Sequence, residues 1–417
     1  MNNELTNSFL HTLPRQVLGD LPAVLHASNS QKDRVNKDYA DVVSLIDKTT
    51  TGASKKRPLP NPSGVEGLDG SDVINLVIDD GVPKKRARKH QELATITACF
   101  TDQHRHELAT RGWTVVENII DMETCNVLKK EWLDTMESYG TGFKADDPTT
   151  WLPSTVPPNL RGMQSWPPVQ ERFVWEARLA TAPVFAKIWD CAPKNLLTSM
   201  DRVCFVPPSR LHNKQSWWHL DQTNTDLRGR FACVQGFVTL EDIGEGEVAL
   251  EVMEGANPHH GTFFSEHLDP QRAAKCTTGN WHKFEPKDTA WYLSRPGVAV
   301  KRVHAPAGSL VLWDSRLPHH AGPPADPSKR SQKTRFVIYT CMMPREEASD
   351  KTIAKRLEAY EQGRAMSHWP NAPKLFAKKP RTYGKELPCA DFDIPAMVAR
   401  AQKRVSDWPL MRRLIGY

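Results

Sequence analysis

The sequence predicts a mostly β protein with flanking helices, built around a double-stranded β-helix, the jelly roll made of two packed sheets. Three observations predict it. Short runs rich in β-branched and aromatic residues recur between residues 197 and 341, Gly- and Pro-containing turns separate them, and helical patterns lie mainly before and after them. A chain of 417 residues is long enough to bury the core of such a barrel and to carry appendages.

The first predicted region, residues 1–91, is a largely disordered arm. It is rich in Asn, Ser, Asp, Lys, Gly and Pro and poor in aromatic residues, so it buries too little apolar surface to offset the loss of chain entropy. Within it, residues 72–80 form an apolar run closed by acids that resembles a SUMO-interacting motif, which would add a strand to the edge of a partner's sheet. A short strand packed on the main domain is the alternative interpretation.

A basic cluster at residues 83–90, Pro-Lys-Lys-Arg-Ala-Arg-Lys-His, has the form of a nuclear localisation signal. We therefore expect a SUMO or import-receptor contact through residues 72–90, and a location in the nucleus with the cytoplasm as a second compartment. A solvated charge run, or a nonspecific nucleic-acid contact, is the alternative. The formal net charge of +6 predicts no partner by itself.

Neither a membrane nor the secretory route is expected. The first residues lack the basic and apolar regions of a signal peptide, and no run of about eighteen apolar residues occurs, so the sequence predicts no membrane partner. The eight cysteines show no C-x-x-C spacing. This indicates reduced thiols in an intracellular protein rather than a zinc site or a disulfide framework.

Helix, strand and helix patterns open the folded part of the chain. Residues 91–100 and 123–133 have the i, i+3, i+4 apolar spacing of amphipathic helices, and residues 112–119 between them alternate as a strand. A Pro-rich loop over residues 146–168 follows, and then a further helix over residues 173–189.

The strands of the barrel are predicted at residues 197–205, 217–221, 231–240, 248–253, 297–303, 309–313 and 335–341. Beyond Pro344 the pattern is helical again, most clearly at residues 351–361. We therefore divide the chain into the arm at residues 1–91, a main domain at residues 92–344, and a basic helical C-terminal extension at residues 345–417 that packs on the barrel.

Three side chains in the barrel have the composition of a mononuclear metal site. His219 and Asp221 form an H-x-D motif, and their i, i+2 spacing on a strand points both side chains to one face. His319 follows an apolar strand directly, in a turn. Two imidazoles and one carboxylate on one face of Fe(II) leave three coordination positions open, which suits a chelating cosubstrate and dioxygen.

A cation is available for such a cosubstrate. Arg335 opens the strand that comes about sixteen residues after His319, where its guanidinium can hold a carboxylate by two parallel hydrogen bonds. The sequence therefore predicts the plan of an oxygenase that uses 2-oxoglutarate. Without a cosubstrate carboxylate, a buried cation at this position would be costly, which disfavours a metal protein that uses dioxygen alone.

The chain resembles the phytanoyl-CoA dioxygenase-like family of Fe(II)- and 2-oxoglutarate-dependent oxygenases, which have a cupin-like jelly-roll core. The resemblance covers roughly residues 95 to 375 and is carried by residues 218–222, 234–236, 312–319 and 335–339, with flanking support at 112–117 and 367–370. It departs from the family at residues 245–251 and 254–260, which lack the usual paired glycines and Gly-Ser-His. Those positions line the pocket mouth in the family, so the substrate stays open.

Residue by residue, the resemblance implies catalytic and metal-binding roles for His219, Asp221 and His319. His320 is adjacent to His319 and leaves the register of the distal ligand open by one residue. The resemblance also implies residues that bind 2-oxoglutarate. They are Arg335, with Arg330 as a second candidate, and Gln235 and Gln164.

The function implied by the resemblance is hydroxylation or oxidative demethylation of a carbon in an organic substrate, with release of succinate and CO2. The carboxylate at Asp221 disfavours halogenation, since related iron halogenases carry a small residue there. The substrate class stays open between a metabolite, a nucleobase and a protein side chain. The alternative function is that of a catalytically silent jelly-roll protein that binds nuclear partners through its N-terminal arm.

Overall fold

The computed structural model describes residues 100–417 apart from 158, 161, 166–167, 209–216, 224, 277–279, 325–331 and 378–392. The arm at residues 1–91, with its SUMO-like run and basic cluster, lies outside the described residues. So do Arg330 and, apart from Phe100, the predicted helix at residues 91–100.

Two antiparallel sheets form the core. The first has six strands and the second has five. In chain order the first sheet contains β1 (Trp113–Val116), β2 (Met163–Gln164), β4 (Val203–Val206), β6 (Val234–Thr239), β10 (Leu310–Asp314) and β12 (Arg335–Thr340). The second contains β5 (His219–Leu220), β7 (Ala249–Glu254), β8 (His282–Lys283), β9 (Ala299–Val303) and β11 (His319–Gly322). A separate pair joins β3 (Leu196–Thr198) to β13 (Met342–Pro344). The strand order is β1-β10-β6-β12-β4-β2 in the first sheet and β8-β5-β11-β7-β9 in the second.

Helices lie around these sheets. They are α1 (Asp102–Thr110), α2 (Met122–Glu137), α3 (Arg172–Ile188), α4 (His260–Thr262), α5 (Pro270–Lys275), α6 (Pro286–Leu293), α7 (Asp350–Glu361), α8 (Ile394–Lys403) and α9 (Pro409–Ile415). The predicted fold class, mostly β with flanking helices around a double-stranded β-helix, is confirmed. Among the described residues, no helix has the length and apolarity that crossing a membrane requires.

Alternation along the strands of the six-stranded sheet gives that sheet two different buried faces. Val203, Val238 and Ile338 join one hydrophobic cluster with α2 and α3, whereas Phe237 and Val337 join another with residues of the five-stranded sheet. Successive side chains of a strand point to opposite faces, so odd-numbered residues of β6 and β12 face the space between the sheets. We call this space the barrel interior.

A helical insertion made of residues 256–276 and 284–293, on either side of β8, covers the outer side of the five-stranded sheet and was not predicted from the sequence. Its aromatic rings stack on one another, with Phe263 and Phe284 at 5.0 and 5.4 Å from Tyr292, and they share a cluster with Leu220. The helix-start signals were present in the sequence. Asp269 caps α5 and proline follows at its first position, as it does at the start of α6.

Predicted helices at residues 123–133, 173–189 and 351–361 are confirmed as α2, α3 and α7. Asp121 and Ser349 cap α2 and α7 by accepting backbone N–H bonds. The predicted strand at residues 217–221 is shorter, because only His219 and Leu220 pair and Asp221 follows in a bend. Part of the loop predicted at residues 146–168 forms the edge strand β2.

Arg356 of α7 ties the C-terminal helices to the sheets. Its side chain is fully buried and donates hydrogen bonds of 2.6 to 3.0 Å to the carbonyl oxygens of Thr198, Pro370, Leu414 and Ile415. Two of these carbonyls belong to α9, whose last turn lacks internal donors, so the guanidinium serves as a side-chain cap. We call this arrangement the Arg356 clamp.

Replacing Arg356 with Met should lower the free energy of unfolding by about 3–5 kcal/mol, because several buried carbonyls would lose their donor. Urea denaturation of the metal-free protein measures this. The exposed Lys351 of the same helix, replaced in the same way, is the control and should change stability by less than about 0.5 kcal/mol. Equal stabilities of the two variants would contradict the clamp.

Candidate metal centre

His219 and His319 face each other across two neighbouring strands. The register pairs His319 of β11 directly with His219 of β5, and their ring centroids are 4.3 Å apart. The Asp221 Oδ2 atom lies 3.5 Å from His219 Nε2 and 3.3 Å from His319 Nε2. All three ligand atoms lie within 4.8 Å of one another, so one metal ion can contact all of them.

The backbone fixes the orientation of both imidazoles. His219 Nδ1 lies 3.1 Å from the carbonyl oxygen of Trp217, and His319 Nδ1 lies 2.9 Å from that of Leu317. A carbonyl oxygen only accepts hydrogen bonds, so each Nδ1 carries the proton and each Nε2 keeps its lone pair. Metal-bound histidines commonly have their second nitrogen held in this way.

The electrostatics favour the protonation states that a metal requires. Burial lowers the pKa of His219, and the neighbouring His319 lowers it further. This imidazole therefore stays neutral at pH values at which an ordinary histidine is protonated. Burial alone would raise the pKa of Asp221, but the neighbouring His219 and His368 hold it well below its usual value. A neutral imidazole and an ionised carboxylate are the forms that coordinate a cation.

His320 lies on the opposite face of β11. Its Nε2 is 2.9 Å from Glu251 Oε2, and its ring packs 4.2 Å from that of Trp218. Glu251 is also bound by Arg302 at 2.9 Å. The alternation of the strand therefore turns His320 away from the triad, and of the two residues that the sequence left open it is His319 that converges with Asp221.

Two further side chains of the barrel interior lie against the triad. Gln235 Nε2 donates a 3.3 Å hydrogen bond to Asp221 Oδ2. The indole of Trp313 lies 5.2 Å from the ring of His319, and its buried Nε1 has no hydrogen-bond partner among the described residues. A buried donor without an acceptor is costly, so this N–H is available to a bound ligand.

Arg335 also faces the barrel interior, on the face that holds Phe237 and Tyr339. Its guanidinium donates a 2.7 Å bond to the carbonyl of Val248 and lies 5.3 Å from the centre of the Phe237 ring. Although burial raises the pKa of Tyr339 to about 12, a hydrogen bond from Arg335 acts in the opposite direction. No acid in the described part of the chain forms an ion pair with Arg335, so an incoming carboxylate would supply the missing charge.

The structure places Gln164, predicted as a cofactor-binding residue, away from this site and on the other face of the six-stranded sheet. The register pairs it with Val203, whose side chain belongs to the cluster of α2 and α3. Its Nε2 lies 3.7 Å from Met136 Sδ on α2. The neighbouring Met163 pairs with Cys204 and takes the interior face instead, so strand register decides which of the two residues faces the site.

Sequence reasoning missed three residues of the site. Tyr339 could have been found, because residues 335, 337 and 339 alternate onto the face of Arg335. His368 and Trp369 could not, because their contacts to the Asp221 carbonyl join positions that are far apart in the chain. Residues 367–370 resembled a family segment, but nothing in their pattern placed them beside the triad.

Known protein-family models give no match to this chain. The chain is similar to Ava biosynthesis cluster protein O of Aspergillus versicolor, with 28% identity over 272 residues that cover 64% of this chain and 85% of that protein. It is also similar to a protein of Dictyostelium discoideum named "Putative phytanoyl-CoA dioxygenase", with 25% identity over 247 residues that cover 50% of this chain and 67% of that protein.

Among solved structures, the chain is similar to the crystal structure of the "Putative Oxidoreductase" from Salmonella typhimurium LT2. The sequence identity is 15%, the TM-score is 0.46, and the match covers 72% of this chain and 82% of that chain. The name of the Dictyostelium relative agrees with the family resemblance that residues 218–222 and 312–319 carry.

Replacing His319 with Ala should weaken binding of Co(II), a stand-in for Fe(II), by at least about 100-fold. Loss of a residue that only supports a metal ligand lowers metal affinity by about 10–100-fold, and loss of the ligand itself should lower it further. Anaerobic calorimetric titration measures the affinity. His320→Ala is the matched control, since it deletes the neighbouring imidazole on the other face and should keep Co(II) affinity. Loss of binding in the His320 variant alone would show that the register is assigned wrongly.

Proposed function

We propose that this chain, which resembles the phytanoyl-CoA dioxygenase-like family of Fe(II)- and 2-oxoglutarate-dependent oxygenases, hydroxylates, or oxidatively demethylates, a carbon of an organic substrate. Succinate and CO2 would be the co-products. The observation that carries the proposal is the convergence of His219, Asp221 and His319 on one point in the barrel interior.

The residues of the site fit both predicted cofactors, Fe(II) and 2-oxoglutarate. His219, Asp221 and His319 would hold the metal as two imidazoles and one carboxylate, the donor set of iron oxygenases that keep three positions open. Arg335 would hold the distal carboxylate of 2-oxoglutarate. When bound, the pair supplies an oxidant derived from dioxygen that can remove hydrogen from a carbon.

The chain's own groups orient these cofactors and keep water away. Gln235 restrains the Asp221 carboxylate, and the carbonyls of Trp217 and Leu317 hold the imidazoles. The Trp313 indole N–H, which lacks a partner among the described residues, would donate to an oxygen of the bound cosubstrate. His219, His319 and Arg335 are each less than a tenth exposed, so hydrogen bonds at the site act with little screening by water.

The alternative of a catalytically silent interaction protein is not supported. That alternative requires a site that no longer binds metal, yet all three metal-binding side chains are present and backbone carbonyls orient both imidazoles. Metal chemistry with dioxygen alone is disfavoured by Arg335, because its buried charge would then lack the carboxylate of a cosubstrate as a partner. The substrate class remains a proposal that spans metabolites, nucleobases and protein side chains.

The proposal is tested by titrating the full-length protein with Fe(II) and 2-oxoglutarate without oxygen, and then exposing it to air and pools of candidate substrates. Succinate release above the substrate-free rate identifies an active pool. The Asp221→Ala variant should give no succinate while keeping the thermal stability of the metal-free protein within a few degrees. Equal succinate release by this variant would show that the site is misassigned.

Arg335→Met should raise the dissociation constant of 2-oxoglutarate about 100-fold, because charge-assisted hydrogen bonds to a carboxylate contribute about 1.5–3 kcal/mol each. Its Co(II) affinity should stay unchanged. Arg302→Met is the matched control, since Arg302 pairs with Glu251 on the opposite side of the five-stranded sheet. If both variants bind 2-oxoglutarate as the unmodified protein does, Arg335 does not hold the cosubstrate.

We also propose, from the sequence alone, that residues 83–90 direct the protein to the nucleus and that residues 72–90 make a SUMO or import-receptor contact. Replacing the basic residues between 84 and 89 with Ala should shift a fluorescently tagged protein from nucleus to cytoplasm. Replacing Lys55, Lys56 and Arg57, another basic run of the arm, is the control. Continued nuclear accumulation of the first variant would exclude the signal.

A further inference from the structure

We propose that Trp369 is a positioning residue of the metal centre, which it serves by fixing the backbone carbonyl of Asp221 from a segment almost 150 residues downstream. Trp369 Nε1 donates a 3.1 Å hydrogen bond to that carbonyl oxygen, and His368 Nε2 approaches it at 3.4 Å. The inference rests on the proposed metal site, because its effect is exerted through a metal ligand.

Asp221 needs such support because no strand holds it. β5 ends at Leu220, and Asp221 lies in a bend beyond the last paired residue. Ladder hydrogen bonds therefore fix His219 but not the peptide plane that follows Asp221. Within the described residues, the side chains of Trp369 and His368 are the donors that reach this carbonyl.

The two ends of Asp221 are held by different parts of the fold. Gln235 of β6 restrains the carboxylate at 3.3 Å, and Trp369 restrains the carbonyl at 3.1 Å. Rotation of the unrestrained peptide would move the carboxylate away from the two Nε2 atoms. A metal site tolerates ligand displacements of only a few tenths of an ångström, about ±0.2 Å in metal–ligand distance.

Trp369 is itself fixed on both sides. Its indole is 3% exposed and packs with Cys233, Cys341 and Met343. The next residue, Pro370, offers its carbonyl to Arg356 at 3.0 Å, so the Arg356 clamp and the Asp221 carbonyl are linked through one short segment. The segment that carries Trp369 thus belongs to the C-terminal region by sequence and to the metal centre by contact.

The chain provides a matched control for this role. Trp189 packs against the same cluster and donates its indole N–H to the carbonyl of Met342 at 2.7 Å. Trp369→Phe and Trp189→Phe therefore delete the same kind of bond from the same cluster, and they differ in whether the released carbonyl belongs to a metal ligand. Trp369→His keeps a ring N–H donor and tests rescue.

The test measures Co(II) binding to the full-length, metal-free variants, together with the visible absorption of bound Co(II) and the unfolding midpoint without metal. We expect Trp369→Phe to weaken Co(II) binding about tenfold and to change its absorption spectrum, as loss of supporting contacts does at other metal sites. Trp189→Phe should keep both while losing a similar amount of stability. Trp369→His should recover part of the affinity.

Equal Co(II) affinities and spectra in the two Phe variants would overturn the proposal and leave Trp369 a core residue only. The proposal would also be overturned if Trp369→His bound Co(II) as weakly as Trp369→Phe. Failure of the unmodified protein to bind Co(II) more tightly than Asp221→Ala would instead refute the metal centre itself, and with it this proposal.

Discussion

The pairing of His319 with His219 across β11 and β5 is the constraint on which the site depends. Paired residues of an antiparallel ladder project to the same face, so this register sends both imidazoles into the barrel interior. A shift of one residue would send His320 inward and His319 outward, and Glu251 would lose its contact with His320. The His320–Glu251 contact on the outer face and the triad on the inner face therefore specify one and the same register.

Two adjacent histidines thus have different tasks. His319 keeps an unprotonated Nε2 toward Asp221 because its Nδ1 is occupied by a backbone carbonyl. His320 binds a carboxylate that Arg302 also binds, on the side of the sheet away from the triad. The difference arises from strand geometry and not from residue type, which explains why the sequence alone left the distal ligand open by one position.

Period-two patterns predicted most of the fold and the core of the site. The strands that carry His219, Gln235 and Arg335 were located, and the alternation of β12 accounts for the interior position of Arg335. The sequence placed His319 in a turn, whereas the structure places it in the short strand β11. The pattern did not show which way Gln164 faces, because a two-residue edge strand is too short to reveal its register. It could not find Trp369 either, since a hydrogen bond from an indole to a distant carbonyl leaves no periodic trace.

The Arg356 clamp has a consequence for the order of assembly. Its acceptors include Leu414 and Ile415, so a nascent chain contains all three metal ligands well before the guanidinium can close on its last partners. Through Pro370, the same clamp steadies the segment that reaches Asp221. Full support of the Asp221 carbonyl would therefore form late in folding, because it draws on contacts to residues 414 and 415, which lie far from the metal ligands along the chain.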